Sequence, residues 1–164
     1  MLFYKYFHSK NKHSVRLFSS INENFSKEFS KFMTKTPISV SKAENSIMLV
    51  EDDRIVAKLL RHLLVQRGFS VNIAMNGRQA IEDLDSKKPP SLILLDIMLP
   101  FADGFEVLSE IRARRGWEKV PIIMLTSKTQ EFNVVRVFEG GADDYMTKPF
   151  QPSELMVRIN RFLR

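Results

Sequence analysis

From Ile47 onward the chain alternates between two hydrophobic periods. Short apolar runs at residues 47–50, 92–95 and 122–125 have the length of strands, and Val71, Ile73 and the residues around them, with residues 144–146, make two more. Between them apolar side chains recur every three or four residues, as helices require. The first such stretch holds Ile55, Val56, Leu59, Leu60, Leu63 and Leu64, and the second Ala80, Ile81 and Leu84. Phe105, Val107, Leu108 and Ile111 form the third, Val134, Val135 and Phe138 the fourth, and Leu155, Met156, Ile159 and Phe162 the fifth. Gly68 and the pair Gly140-Gly141 stop the first and fourth helices, and Pro152 opens the fifth at a tolerated first-turn position. The run Leu92-Ile93-Leu94-Leu95 is unbroken and follows Pro89-Pro90, which reads as a strand buried on both faces in the middle of a parallel sheet. Because right-handed crossovers place helices on both faces, the pattern predicts an α/β domain with a doubly wound, five-stranded parallel sheet.

The polar residues that end these strands change the picture from fold to chemistry. Glu51 and Asp52 follow the first strand, Asp96 the third, Thr126 and Ser127 the fourth, and Lys148 the fifth. In open α/β sheets the carboxyl ends of the strands are where ligands collect, and with strand order 2-1-3-4-5 the first and third strands are neighbours at the switch point. Three carboxylates then converge, and their repulsion would protonate one of them unless a cation sits among them. The donors are all hard oxygens without His or Cys, which favours Mg²⁺ or Mn²⁺. Lys148 and Thr126 add the fixed positive charge and the hydroxyl needed to hold phosphoryl oxygens.

Charge and composition divide the chain. Residues 1–45 carry eight Lys/Arg against three Glu, which leaves 17 of 25 basic and 16 of 19 acidic residues for residues 46–164. All but one unit of the net charge of +6 therefore belongs to the first 45 residues, and the domain beyond them gives no reason to expect nucleic acid. Within residues 1–20, Lys5, Lys10, Lys12 and Arg16 mix with Phe3, Tyr4, Phe7, Leu17 and Phe18, with no acid present. That is the composition of a mitochondrial presequence, with a matrix location as its consequence; the alternative is a disordered basic extension on a cytoplasmic protein. Phe25, Phe29, Phe32 and Met33 are spaced for a short amphipathic helix, and residues 37–46 read as linker. No cysteine is present, and no apolar run approaches the roughly 20 residues of a membrane span.

Four motifs stand in order: Leu49-Val50-Glu51-Asp52-Asp53, Leu95-Asp96-Ile97-Met98-Leu99-Pro100, Met124-Leu125-Thr126-Ser127, and Gly141-Ala142-Asp143-Asp144-Tyr145-Met146-Thr147-Lys148-Pro149-Phe150. With 44 residues from Asp52 to Asp96, 30 more to Thr126 and 22 more to Lys148, residues 46–164 resemble the receiver domain of two-component response regulators. The resemblance implies a flavodoxin-like fold and a switch that is not an enzyme beyond its own phosphotransfer and dephosphorylation. Asp96 would accept a phosphoryl group from a histidine kinase or phosphotransfer protein. Asp52, Asp96 and the backbone carbonyl of Met98 would bind Mg²⁺, with Glu51 completing the pocket indirectly. Thr126 and Lys148 would contact the phosphoryl oxygens, Thr126 and Tyr145 would switch, and Lys148-Pro149 would be a cis peptide.

With nothing after the fifth helix, the expectation is a stand-alone receiver signalling to an effector the sequence does not name. By likeness to the winged-helix transcription-factor subgroup, Asp143, Asp144, Glu154 and Arg158 occupy positions that pair across a two-fold axis. Val134 stands where Glu154 would find its basic partner, so the expectation is a weak, phosphorylation-dependent homodimer. Other readings fit less of the chain. A flavodoxin-like cofactor binder leaves the carboxylates and Lys148 unexplained, and an Asp-x-Asp phosphatase fails at Met98. No Gly-rich phosphate loop exists, and His8, His13 and His62 form no ligand set. Arg112, Arg114 and Arg115 suit the end of a helix and solvent better than nucleic acid.

Overall fold

The computed structural model describes residues 45–127 and 133–163. Five strands alternate with five helices: β1 (Ser46–Val50), α1 (Arg54–Gln66), β2 (Ser70–Ala74), α2 (Gly77–Ser86), β3 (Leu92–Asp96), α3 (Gly104–Ala113), β4 (Ile122–Ser127), α4 (Asn133–Glu139), β5 (Asp144–Lys148) and α5 (Pro152–Phe162). The strands form one parallel sheet in the order β2-β1-β3-β4-β5. The basic extension, its presequence reading and the Phe25/Phe29/Phe32 stretch lie outside the described residues. No helix among the described residues is long and apolar enough to cross a membrane.

β3 is buried along its whole length, as its unbroken apolar run predicts. Met48, Val50, Ile93, Leu95, Ile122 and Met124 join one core cluster with Ala80 and Leu84 of α2, Val107, Leu108 and Ile111 of α3, and Trp117. The alternate strand residues Ile47, Leu49, Leu92, Leu94, Ile123 and Leu125 point to the other face and are equally buried. Short side chains set the helix starts. Asp53 accepts from the N–H groups of Ile55 and Val56 to cap α1, and Asp103 forms a reciprocal capping box with Glu106 at α3. Gly104 must be glycine, because a Cβ there would lie 2.3 Å from the carbonyl oxygen of Asp96. That close approach is what brings α3 against the end of β3.

Two helical patterns differ from the sequence expectation. Ile55 opens α1 beyond the edge of the sheet and is exposed, while Ala57, Leu60, Leu63 and Leu64 form the buried stripe. Among the side chains of α4 that are described, Val137 is buried and Phe138 is not, its ring meeting Tyr145 edge-on at 5.8 Å. Both apolar stripes on α4 have helical spacing, and packing against α3 and β5 decides between them.

Arg112 stitches the amino-terminal edge of the sheet. It donates to the carbonyls of Gly141 (2.7 Å), Val120 (2.9 Å) and Glu118 (3.2 Å), and pairs with Asp143 at 2.8 Å. Asp143 also accepts from the N–H of Ile122, so one guanidinium ties the end of α3 to the starts of β4 and β5. Arg114 pairs with Asp85. Two of the three arginines weighed for nucleic acid are thus engaged within the fold. Arg158 bonds Asp144 and, one helical turn away on α5, Glu154 of its own chain.

Candidate functional site

Parallel pairing of β1 with β3 and of β3 with β4 brings the predicted site residues to one edge. The N–H of Glu51 donates to the carbonyl of Ala74, which carries the β1–β2 pairing one residue past the strand and fixes where the Glu51 side chain starts. Lys148, the last residue of β5, reaches across with its Nζ 2.6 Å from Glu51 Oε2 and 2.7 Å from Asp96 Oδ2. The other oxygens of these acids are also held: Glu51 Oε1 accepts from the N–H of Asp53, and Asp96 Oδ1 from the N–H of Met98. Asp52 is exposed, yet carboxylate oxygens of Glu51, Asp52 and Asp96 all lie within 4.8 Å of one another. Thr126 is buried on β4 opposite Thr147 of β5, one residue past Leu125, the partner of Asp96. Tyr145 is partly buried against the core cluster and stands beside Phe138. The Lys148-Pro149 peptide is cis.

The electrostatics of the cluster are unbalanced. Burial, opposed by Lys148 and reinforced by the charge of Asp96, pushes the Glu51 carboxyl up to about 7. Asp52 is also raised, by burial first and by Asp96 second. Burial pulls the Lys148 ammonium down, but Asp96 and Glu51 outweigh it and hold the group above its ordinary value. One lysine therefore faces three acids, and two of those acids resist ionising. A hard divalent cation beside Asp52 and Asp96 would supply the missing positive charge, and an all-oxygen donor set with one exposed carboxylate suits Mg²⁺, which keeps several waters. The residues present fit the ion that the resemblance implies.

Glu51 also makes a pH prediction. Its folded value lies above the ordinary 4.5, so its contribution to stability is full below about pH 4.5 and is lost as pH rises through about 7. In chelator-treated protein the melting temperature should fall across that window relative to Glu51→Gln, and saturating Mg²⁺ should flatten the difference. Parallel melting curves of wild type and Glu51→Gln over the window would show the assignment to be wrong.

Two residues beside the site have no precursor in the sequence pattern. Phe101, in the loop from β3 to α3, has a φ of 74° and is 74% exposed, with the Arg78 guanidinium 5.0 Å from its ring centroid. A bulky L-residue in that left-handed region costs roughly 1–2 kcal/mol. Phe138 is the neighbour of the predicted switch residue Tyr145, a relation only the packing of α4 reveals.

An open parallel sheet with three acids and a lysine at its carboxyl edge defines the receiver class of α/β domain. The chain belongs to the response regulator family: the model of the response regulator receiver domain matches residues 47–160. It is 42% identical over 118 residues to the alkaline phosphatase synthesis transcriptional regulatory protein PhoP of Bacillus subtilis, covering 72% of this chain and 48% of that protein. The transcriptional regulatory protein SrrA of Staphylococcus aureus is likewise 42% identical, over 120 residues, with 73% of this chain and 48% of SrrA covered. The chain thus spans about half the length of these curated relatives. A crystal structure of the receiver domain of a sensor histidine kinase from Pseudomonas aeruginosa superimposes with a TM-score of 0.68 at 31% identity, covering 74% of this chain and 98% of that one. It was solved with a magnesium ion coordinated in its active-site cleft.

Proposed function

We propose that Asp96 accepts a phosphoryl group from the phosphohistidine of a histidine kinase or phosphotransfer protein, and that the domain works as a switch driven by this modification. The observation that carries the reading is the carboxylate of Asp96 at the end of β3, hydrogen-bonded by Lys148 within a cluster of three acids. In the transfer the phosphorus–nitrogen bond of the donor breaks, a bond from phosphorus to Asp96 oxygen forms, and the released imidazole takes a proton from solvent. Positioning and charge neutralisation dominate such transfers. Mg²⁺, held by Asp52, Asp96 and the carbonyl of Met98, would neutralise charge on the phosphoryl oxygens. Lys148 holds the acceptor carboxylate in place beforehand and then turns to the new phosphoryl group. Thr126 would donate its hydroxyl to the same group. Each charge-assisted bond contributes on the order of 1.5–3 kcal/mol, enough to shift a two-state equilibrium.

The movement of Thr126 toward the phosphoryl group would open space for Tyr145 to turn inward, away from Phe138, and so alter the face made by α4, β5 and α5. That face is the proposed output, and weak phosphorylation-dependent pairing of two copies is one use of it. The metal assignment has its own test. Acetyl phosphate should label the wild type only when Mg²⁺ is present, and Asp52→Ala, which removes one of two carboxylate ligands, should raise the Mg²⁺ concentration for half-maximal labelling by about tenfold or more. An unchanged requirement in the titration would remove Asp52 from the ligand set.

A further inference from the structure

Six large hydrophobic side chains stand in solvent among the described residues; two of them, Met98 and Phe101, lie on the loop that follows Asp96, and a third, Ile55, is in the first turn of α1, just after Glu51 and Asp52. Phe101 is the most exposed of the six and the only non-glycine residue described with a positive φ. Glycine or asparagine adopts that backbone readily, so neither local conformation nor burial accounts for a phenyl ring there. Its support is nevertheless rigid. Gly77 at the start of α2 donates its N–H to the carbonyl of Pro100 and approaches Ala102 so closely that a Cβ would not fit, while Arg78 covers one face of the ring.

The Asp96 carboxylate is recessed, with the residue only 6% exposed, so a protein that delivers a phosphoryl group must bring its histidine in past the exposed side chains of Met98 and Phe101 on the loop that Asp96 opens. A small donor needs no such docking. We infer that Phe101, backed by Arg78, is a specificity-determining residue that packs against the phosphohistidine-bearing domain beside its histidine. A rigid aromatic next to an arginine is the composition of an interface anchor, and ordering it beforehand reduces what is lost on docking. The inference rests on Asp96 being the acceptor.

The experiment compares two donors on full-length wild type, Phe101→Gly and Phe101→Tyr. One donor is acetyl phosphate; the other is the fastest among purified, autophosphorylated histidine kinases from the source organism. Phe101→Gly should lose about tenfold or more in kcat/KM with the kinase, mainly through KM. It should keep acetyl phosphate labelling within about twofold and melt no lower than wild type, because glycine suits the backbone. Phe101→Tyr should retain transfer from the kinase. Wild-type kinase transfer by Phe101→Gly overturns the inference, as does an equal fall with both donors, which would make Phe101 a shaper of the loop. Wild type that accepts from acetyl phosphate but from no kinase also overturns it. Failure of acetyl phosphate to label Asp96 in the wild type would instead strike the underlying assignment.

Discussion

Asp96→Asn folds with the wild-type circular dichroism spectrum and takes up less than roughly one-hundredth of the phosphoryl label, from either acetyl phosphate or a phosphohistidine donor, because an amide oxygen lacks the charge that makes a carboxylate a nucleophile. The shape of the site survives the change. The amide oxygen can still accept from Lys148 Nζ or from the Met98 N–H, though not from both as the two carboxylate oxygens do. One donor near the surface loses its acceptor, which costs about 1 kcal/mol. Against that, one of three clustered negative charges is gone, and with it part of what raises Glu51 and Asp52. The melting temperature should therefore move by only a few degrees in either direction. Intact-mass measurement after incubation with acetyl phosphate and Mg²⁺ reads the outcome. A phosphorylated Asp96→Asn protein, stable in acid and lost in mild base or not, would move the acceptor to another residue.

The sheet was legible because its signals are local. Each strand is a short apolar run, each helix has its own period, and a chain of alternating βα units leaves few topologies once crossovers are right-handed. The site was legible for a related reason: all its residues sit where a strand ends, and strand ends are what hydrophobic patterning marks best. Lys148 meets Glu51 and Asp96, from which it is separated by 97 and 52 residues, because parallel pairing carries all three to one edge. What the sequence hides depends on side-chain packing. The stripe on α4 could place Val137 or Phe138 inward, and only the neighbouring elements decide. Arg112 looks like a solvated residue at a helix end, yet the carbonyls of Glu118, Val120 and Gly141 converge on it from separate segments. The left-handed backbone of Phe101 has no signature at all, since the residue is one that avoids that conformation.

Lys148→Ala should damage stability and switching together, and the two effects separate by pH and by metal. Lys148 Nζ bonds two carboxylates that are themselves nearly inaccessible to water, and removing one partner of a buried ion pair leaves charge uncompensated. The lysine side chain is partly exposed, at 22%, so the loss should be nearer about 2–4 kcal/mol than the full cost of a dry pair. That corresponds to a melting temperature lower by roughly 10 °C at neutral pH. Without the ammonium, Glu51 is pushed further above its ordinary value than in the wild type, where Lys148 opposes the rise. Its stabilising contribution is then present below pH 4.5 and lost as pH rises through and beyond 7, so the deficit should shrink in acid and widen in base. Added Mg²⁺ should raise the melting temperature of the variant more than that of wild type, because a cation beside Asp52 and Asp96 supplies part of the missing charge. It should not restore the switch. With no ammonium to meet the phosphoryl oxygens, phosphorylation of the Mg²⁺-loaded variant should leave the resonances of Tyr145 and Phe138 near their resting positions. A variant as stable as wild type throughout this pH range would show that Lys148 does not balance the acids, and wild-type spectral shifts on phosphorylation would show that it does not transmit the signal.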